Sequence, residues 1–248
     1  MMDMDTQLQA QLFLADQRGC SQLDYFRSYH SFTFGPYVDA HKTPFGSLQV
    51  INDDTLKAGH RVTMQVDDNT DVLIFPIIGG LAYKSSLGHG FVNAGEIQIF
   101  SLTTGMTYEI SNPYETESIN FLQIWLRNTA GDFTPISRQT QFDLTEKNKL
   151  RPAFSTAPNG LNPHQSARGF IGRYDGRKDG IYEVDYPADG HPANGVFAFV
   201  LNGVFEVQDR LLHERDGLAL LADGALTVAF EALSNDAILL LLDIPVAQ

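Results

Sequence analysis

Seven histidines, one cysteine and an excess of carboxylates are the side chains through which this chain could hold a metal or move a proton. A metal site built on strands needs ligands two residues apart, because alternate side chains share one face of a strand. His30 sits in an aromatic-rich segment, His41 and His60 in loops, His89 at the tip of an SLGHG turn, and His164, His191 and His213 in the second half. No two of them stand in that alternation. Asp67-x-Asn69-x-Asp71 copies the opening of a calcium loop, but Val72 stands where that loop needs glycine and Ile78 where it needs its closing glutamate, so the run reads as a polar approach to a hairpin. Lys147, Lys149 and Arg151 form a short basic patch that reads as a solvated face. There is no GxSxG elbow, phosphate loop or dinucleotide fingerprint.

Charge narrows the partners further. With 17 Lys+Arg against 30 Asp+Glu the net charge is -13, which opposes direct binding to nucleic acid or to an anionic membrane. Cys20 has no partner for an intrachain disulfide, so a reducing compartment is expected. The start of the chain lacks the basic and apolar regions of a secretory signal, and Cys20 follows Gln17-Arg18-Gly19 rather than an apolar segment. No run approaches the roughly 18 apolar residues of a membrane span. A soluble, cytoplasmic protein is the expectation.

The elements that must position any site are strands. From Val62 to Asn112 apolar runs of strand length are broken by glycines: VLIFPII, then Gly79-Gly80, then LAYKS, and further on AGEIQIF and LTTGMTYEISN. Such a series reads as a β meander closing into a small barrel with a pocket at its mouth. Before it, residues 1–17 read as a polar, partly helical or irregular lead-in with a weak apolar face at Leu8, Leu12 and Phe13. FGSLQVINDD predicts a strand over Leu48 to Ile51 and a turn at Asn52-Asp53-Asp54, and INFLQIWL predicts a strand whose tryptophan, Trp125, is a core aromatic. The Pro-, Thr- and Gln-rich stretch 128–165 reads as connecting structure, and strand rhythm resumes at Gly169. In GVFAFVLNGVFEVQ, Asn202-Gly203 predicts a two-residue hairpin, and a second turn is expected at Asp223-Gly224.

VLIFPII-GG-LAYKS and VFAFVL-NG-VFEVQ share one pattern, apolar strand, tight turn and amphipathic strand, half a chain apart. That self-similarity implies two barrels in tandem, so the fold class is all-β. The expected boundaries are a lead-in over 1–17, an N-terminal barrel over 18–127, a connection over 128–165 and a C-terminal barrel over 166–248.

RGCSQLDYFRSYHSFTFG, FGSLQVINDD, GGLAYKSSLGHG, AGEIQIFSLTTGM and FLQIWL together resemble the pirin family, two-barrel members of the cupin superfamily. The resemblance implies a jelly-roll-like barrel in each half. It also implies one divalent metal, usually iron, in the N-terminal barrel, held by three histidines and a glutamate. Counted onto this chain, those positions fall on Gln65, Asp67, Tyr108 and Ile110, which would then line the barrel cavity. None matches, and isoleucine cannot coordinate at all.

The expectation is therefore a pirin-like protein that has lost the metal centre, carries no cofactor and binds a small apolar molecule or a protein partner. The alternative is a quercetin 2,3-dioxygenase-like oxidoreductase with iron or another divalent transition metal at low occupancy, for which His60 is the one nearby imidazole. A third reading makes Asp67 a general base and Tyr108 an acid or hydrogen-bond donor in a metal-free site.

Overall fold

The strands of this protein were traced in a computed structural model that describes residues 8–129, 133–156, 166–184, 194–222 and 224–246. Among the described residues twenty-one strands carry the fold, with one turn of 3-10 helix at Ala15–Gln17. In chain order they are β1 (Leu8–Phe13), β2 (Gly19–Gln22), β3 (Phe26–His30), β4 (Leu48–Leu56), β5 (Arg61–Gln65), β6 (Thr70–Ile78), β7 (Leu81–Ser85), β8 (Gly88–Val92), β9 (Glu96–Leu102), β10 (Thr107–Ser111) and β11 (Ile119–Arg127). They continue as β12 (Ile136–Gln141), β13 (Arg151–Ser155), β14 (Arg168–Tyr174), β15 (Lys178–Glu183), β16 (Gly195–Asn202), β17 (Phe205–Val207), β18 (Arg210–Leu212), β19 (Gly217–Ala222), β20 (Thr227–Ala232) and β21 (Ala237–Ile244).

The chain divides into two units, one made of residues 18–44 and 48–141, the other of residues 1–17, 45–47 and 142–248. In the first, a seven-stranded sheet of order β12-β9-β6-β11-β4-β3-β2 accompanies a four-stranded sheet of order β5-β10-β7-β8. In the second the orders are β1-β19-β16-β21-β14-β13 and β15-β20-β17-β18. Position for position the two units have one topology, with β2 as an extra edge strand of the first, so the repeat read from the turn motifs is real.

The meander is not. Most neighbouring strands are non-consecutive, as in a jelly roll, and the sheets do not close. Gly79-Gly80 carries the chain from β6 in the larger sheet to β7 in the smaller one, and Asn202-Gly203 carries it likewise from β16 to β17. Neither turn joins paired strands, so the expected hairpin at Asn202-Gly203 is a crossing between sheets. Local turn chemistry gives a reversal of the chain; it does not say which sheet receives the next strand.

Three further expectations change. The described part of the lead-in, residues 8–17, is mostly a strand: β1 pairs antiparallel with β19, from Leu8↔Ala222 to Phe13↔Gly217. Leu8 and Leu12 are four apart, a spacing that suits one face of a strand as well as one face of a helix. Phe13, on the other face, is buried with its ring 5.5 Å from Phe197. The stretch 128–165 contributes β12 to the first unit, paired with β9, and β13 to the second, paired with β14. Each unit thus takes the strand beside β9 or β19 from a segment that sequence reading assigns to a lead-in or a connection. Finally, Asn52-Asp53-Asp54 is no turn, since β4 runs through it and all three side chains are buried.

Each core lies between its two sheets. In the first unit it includes Leu56, Val72, Ile74, Phe100 and Phe121 from the larger sheet and Val62, Leu81, Tyr108 and Ile110 from the smaller. In the second, Tyr174, Phe205 and Phe230 meet edge to face in the interior, with centroids 5.3 to 6.3 Å apart, and aliphatic side chains of β16, β19 and β21 fill the rest. Among the described residues no helix is long and apolar enough to cross a membrane. Asp223 of the expected second turn, His164 and His191 lie outside the described residues.

Candidate functional site

β5 and β10 lie side by side with Met64 opposite Tyr108 and Val62 opposite Ile110. Directly opposed residues of an antiparallel pair share a face, and here that face is inward: Tyr108 and Ile110 are enclosed in the core, as is Val62. The intervening Thr63, Gln65 and Thr107 are exposed. Strand alternation therefore turns Tyr108 and Ile110 inward, while Gln65 stands in the opposite phase. Asp67 lies past the end of β5 and is exposed, while Val62, Val66, Val72 and Ile74 take the inward face on both sides of the bend that leads to β6.

Gln65 and Asp67 instead border an open cleft of about 360 Å³ at this end of the unit. Its apolar wall is Phe34, Pro44, Val50, Met64 and Trp125, and Asp67, Asp68 and Arg127 supply charge. Phe34 and Trp125 meet edge to face, 5.6 Å apart and at 89°. Arg127 pairs with Asp68 at 3.4 Å, and the Gln65 amide donates to the Gly105 carbonyl oxygen at 3.1 Å. Trp125, expected in the core, is half core and half cleft wall: it packs on the barrel interior and its indole N–H donates to the buried Tyr108 hydroxyl oxygen at 3.0 Å.

The four counted positions thus divide in two. Gln65 and Asp67 reach the cleft; Tyr108 and Ile110 do not line it. The Tyr108 hydroxyl donates to Gln123 Oε1, and burial holds its pKa well above the usual phenol value. A pair in which Asp67 takes a proton and Tyr108 gives one has no common place for a substrate, because one group is exposed and the other enclosed.

The same placements bear on the metal that the resemblance implies. Ile110 has no donor atom, the Tyr108 proton and the Gln65 amide are committed to other partners, and Asp67 leaves a single carboxylate. These residues do not fit a three-histidine, one-glutamate centre. Among the described residues no group of three or more His, Cys, Asp or Glu side chains could hold a metal ion, and the calcium-like trio Asp67, Asn69 and Asp71 offers only two carboxylates. Asp71 of that trio is buried, bonded by Ser101 and Asn128. His60 stacks on Tyr25 with centroids 4.9 Å apart, at the start of β5, roughly 17 Å along the strand from Gln65 at about 3.3 Å per residue. His41, His89 and His213 are exposed. In the basic patch, Lys147 bridges Asp175 and Asp236 at 2.7 Å each, and Lys149 and Arg151 both pair with Glu146.

What sequence reading missed is a polar layer inside this barrel. Ser28 and His30 of β3, Asn52 and Asp54 of β4, and Gln123 of β11 all point inward and are at most 2% exposed. His30 sits between Ser21 Oγ and Asn52 Oδ1, each 2.8 Å away, and burial lowers its pKa. Burial raises the Asp54 pKa to about 7, against the opposing pull of hydrogen bonds from Gln123 and Ser28. A signal existed in the sequence. Asn52 and Asp54 stand two and four residues after Val50 and before or at the phase of Leu56, so they share the apolar face of β4.

Comparison with known proteins places these observations in context. The family model described as Pirin matches residues 14–126, and that described as Quercetinase C-terminal cupin domain matches residues 156–244. The chain is 26% identical over 232 residues to a quercetin 2,3-dioxygenase of Escherichia coli K12, covering 93% of this chain and 96% of that protein. To the pirin-like protein YhaK of the same strain it is 30% identical over 112 residues, 44% of this chain and 48% of that one. Among solved structures, YhhW from Escherichia coli superposes with a TM-score of 0.82 at 26% identity, covering 97% of this chain and 99% of that chain. A complex of YhhW with nickel(II) gives 0.81 at 25%, covering 96% and 100%.

Proposed function

Since this chain belongs to the pirin family of two-domain cupins, we propose that it works by binding a small, largely apolar molecule in the cleft beside Trp125, without a transition metal. The observation that carries this reading is the contrast at one end of the barrel. The walls that would hold a flat apolar molecule, Phe34 against Trp125, are in place, while the four positions where relatives would hold a metal are divided between rim and core. An aromatic and aliphatic wall with polar groups around it, Gln65, Asp67, Asp68 and Arg127 among them, can take such a molecule and orient it. A protein partner at the same cleft is the other binding mode this reading allows.

The test uses Trp125, the single tryptophan of the chain. Protein purified without chelator and then incubated with iron or nickel is expected to retain far less than one metal per chain by elemental analysis. Small aromatic probes are expected to quench Trp125 emission saturably, and Phe34→Ala to weaken them. Stoichiometric metal, or a set of such probes none of which quenches, would overturn the proposal.

The second reading, quercetin 2,3-dioxygenase-like chemistry, is favoured by one observation, the full-length similarity to a relative that bears that name. Loss of the flavonol absorbance on adding iron, copper or nickel to protein and quercetin in air would support it, and no turnover with any of them removes it.

A further inference from the structure

The inward face of a sheet over a core is normally apolar, and a buried polar side chain there needs partners. In the first unit those partners form a chain with a direction. The Trp125 indole N–H donates to the Tyr108 oxygen, the Tyr108 hydroxyl donates to Gln123 Oε1, and the Gln123 amide donates to Asp54 Oδ2. An indole N–H can only donate and a carboxylate can only accept, so the two ends set the sense of every link between them. One end is the cleft wall. The other is a carboxyl that is 0% exposed and does not line that cleft.

We infer that Asp54 is a positioning residue of the cleft, acting through Gln123 and Tyr108 to hold the Trp125 indole, so that the orientation of this wall is linked to proton uptake at Asp54. A proton arriving on Oδ2 competes with the Gln123 amide. If that amide turns over to accept it, Gln123 presents N–H to Tyr108, whose own hydroxyl proton then loses its acceptor, and the bond from Trp125 is disturbed. If the proton instead settles on Oδ1, which makes no hydrogen bond of ordinary geometry, the charge that polarises the chain is removed and each link weakens.

The groups facing Asp54 are few. Ser28 and His30 approach from β3, Gln123 from β11 and Tyr108 from β10; Asp53, paired with Arg18 at 3.1 Å on the other face of β4, adds its charge through the strand. Asp53 and burial both favour the neutral acid, which places the proton exchange near neutral pH.

The experiment follows the indole N–H resonance of Trp125, a single peak, from roughly pH 5 to pH 9 in the full chain. One step is expected in the wild type, sharing its midpoint with the carboxyl carbon of Asp54 followed in the same protein. Asp54→Asn is expected to lose the step, Tyr108→Phe to shift the resonance at every pH and lose it too, and His30→Gln to keep it. A pH-invariant indole, a midpoint different from that of the Asp54 carboxyl, or a step that His30→Gln abolishes and Asp54→Asn keeps would overturn the inference. The wild-type comparison stands even where a variant does not fold. A consequence for ligand affinity rests on the cleft being the binding site. If the indole titrates and probe affinity does not follow, that proposal fails while the positioning role stands.

Discussion

Replacing Asp54 by asparagine keeps the shape of the side chain and removes its titration, and the size of the effect can be worked out from the site. The folded carboxyl has a pKa of about 7 against an ordinary 3.8, so between those values the folded state holds a proton that the unfolded chain has released. Stability drawn from this group is present in full below the unfolded value and is lost as pH rises through about 7. The gap between 3.8 and about 7, at about 1.4 kcal/mol per pH unit, comes to about 4 kcal/mol, to order of magnitude. Other groups titrate in the same range. Asp71, also raised by burial, acts in the same sense; His30, lowered by burial, acts in the opposite one, costing stability as pH falls. Subtracting the variant from the wild type cancels both. Urea unfolding followed by Trp125 emission reports the first unit, because that is where the one tryptophan lies. The variant is expected to gain on the wild type by about 4 kcal/mol between about pH 4 and about pH 8. A difference that stays constant across that range would show that Asp54 is ionised throughout, and the reasoning from desolvation would fail.

Phe13→Ala tests the assignment of β1 to the second unit: truncating this buried ring is expected to cost about 3 kcal/mol, and hydrogen exchange should quicken in β19 and β16 rather than around Trp125. Gly203→Ala should cost about 1–3 kcal/mol in urea unfolding, because φ there is +79° and a Cβ would come within 2.4 Å of Ser234 Oγ, which now accepts from the Val204 amide. Gly59→Ala, at φ +70° with nothing near its Cβ, should cost only about 1 kcal/mol and serves as the comparison for backbone strain alone.

What this sequence determined by itself is whatever a short window of residues can encode. The strands, the two-unit repeat and the inward phase of Tyr108 and Ile110 follow from period-two patterning, and the turns at Gly79 and Gly203 from residues that tolerate positive φ. Sheet partnership lies outside any such window. β6 to β7 and β16 to β17 look like hairpins locally and are crossings between sheets, and β1 and β12 pair with β19 and β9, which are not their neighbours in sequence. The family positions counted onto Gln65 and Asp67 fall out of the inward phase, because Val62, Val66, Val72 and Ile74 take that face on both sides of the bend and leave the odd-numbered residues to the other. Asn52-Asp53-Asp54 reads as a turn in isolation and is strand in the fold. Three polar residues in a row are turn formers when exposed, and they remain strand only because His30, Gln123, Asn120 and Arg18 arrive from other strands to satisfy them, which is a property of the assembled barrel alone.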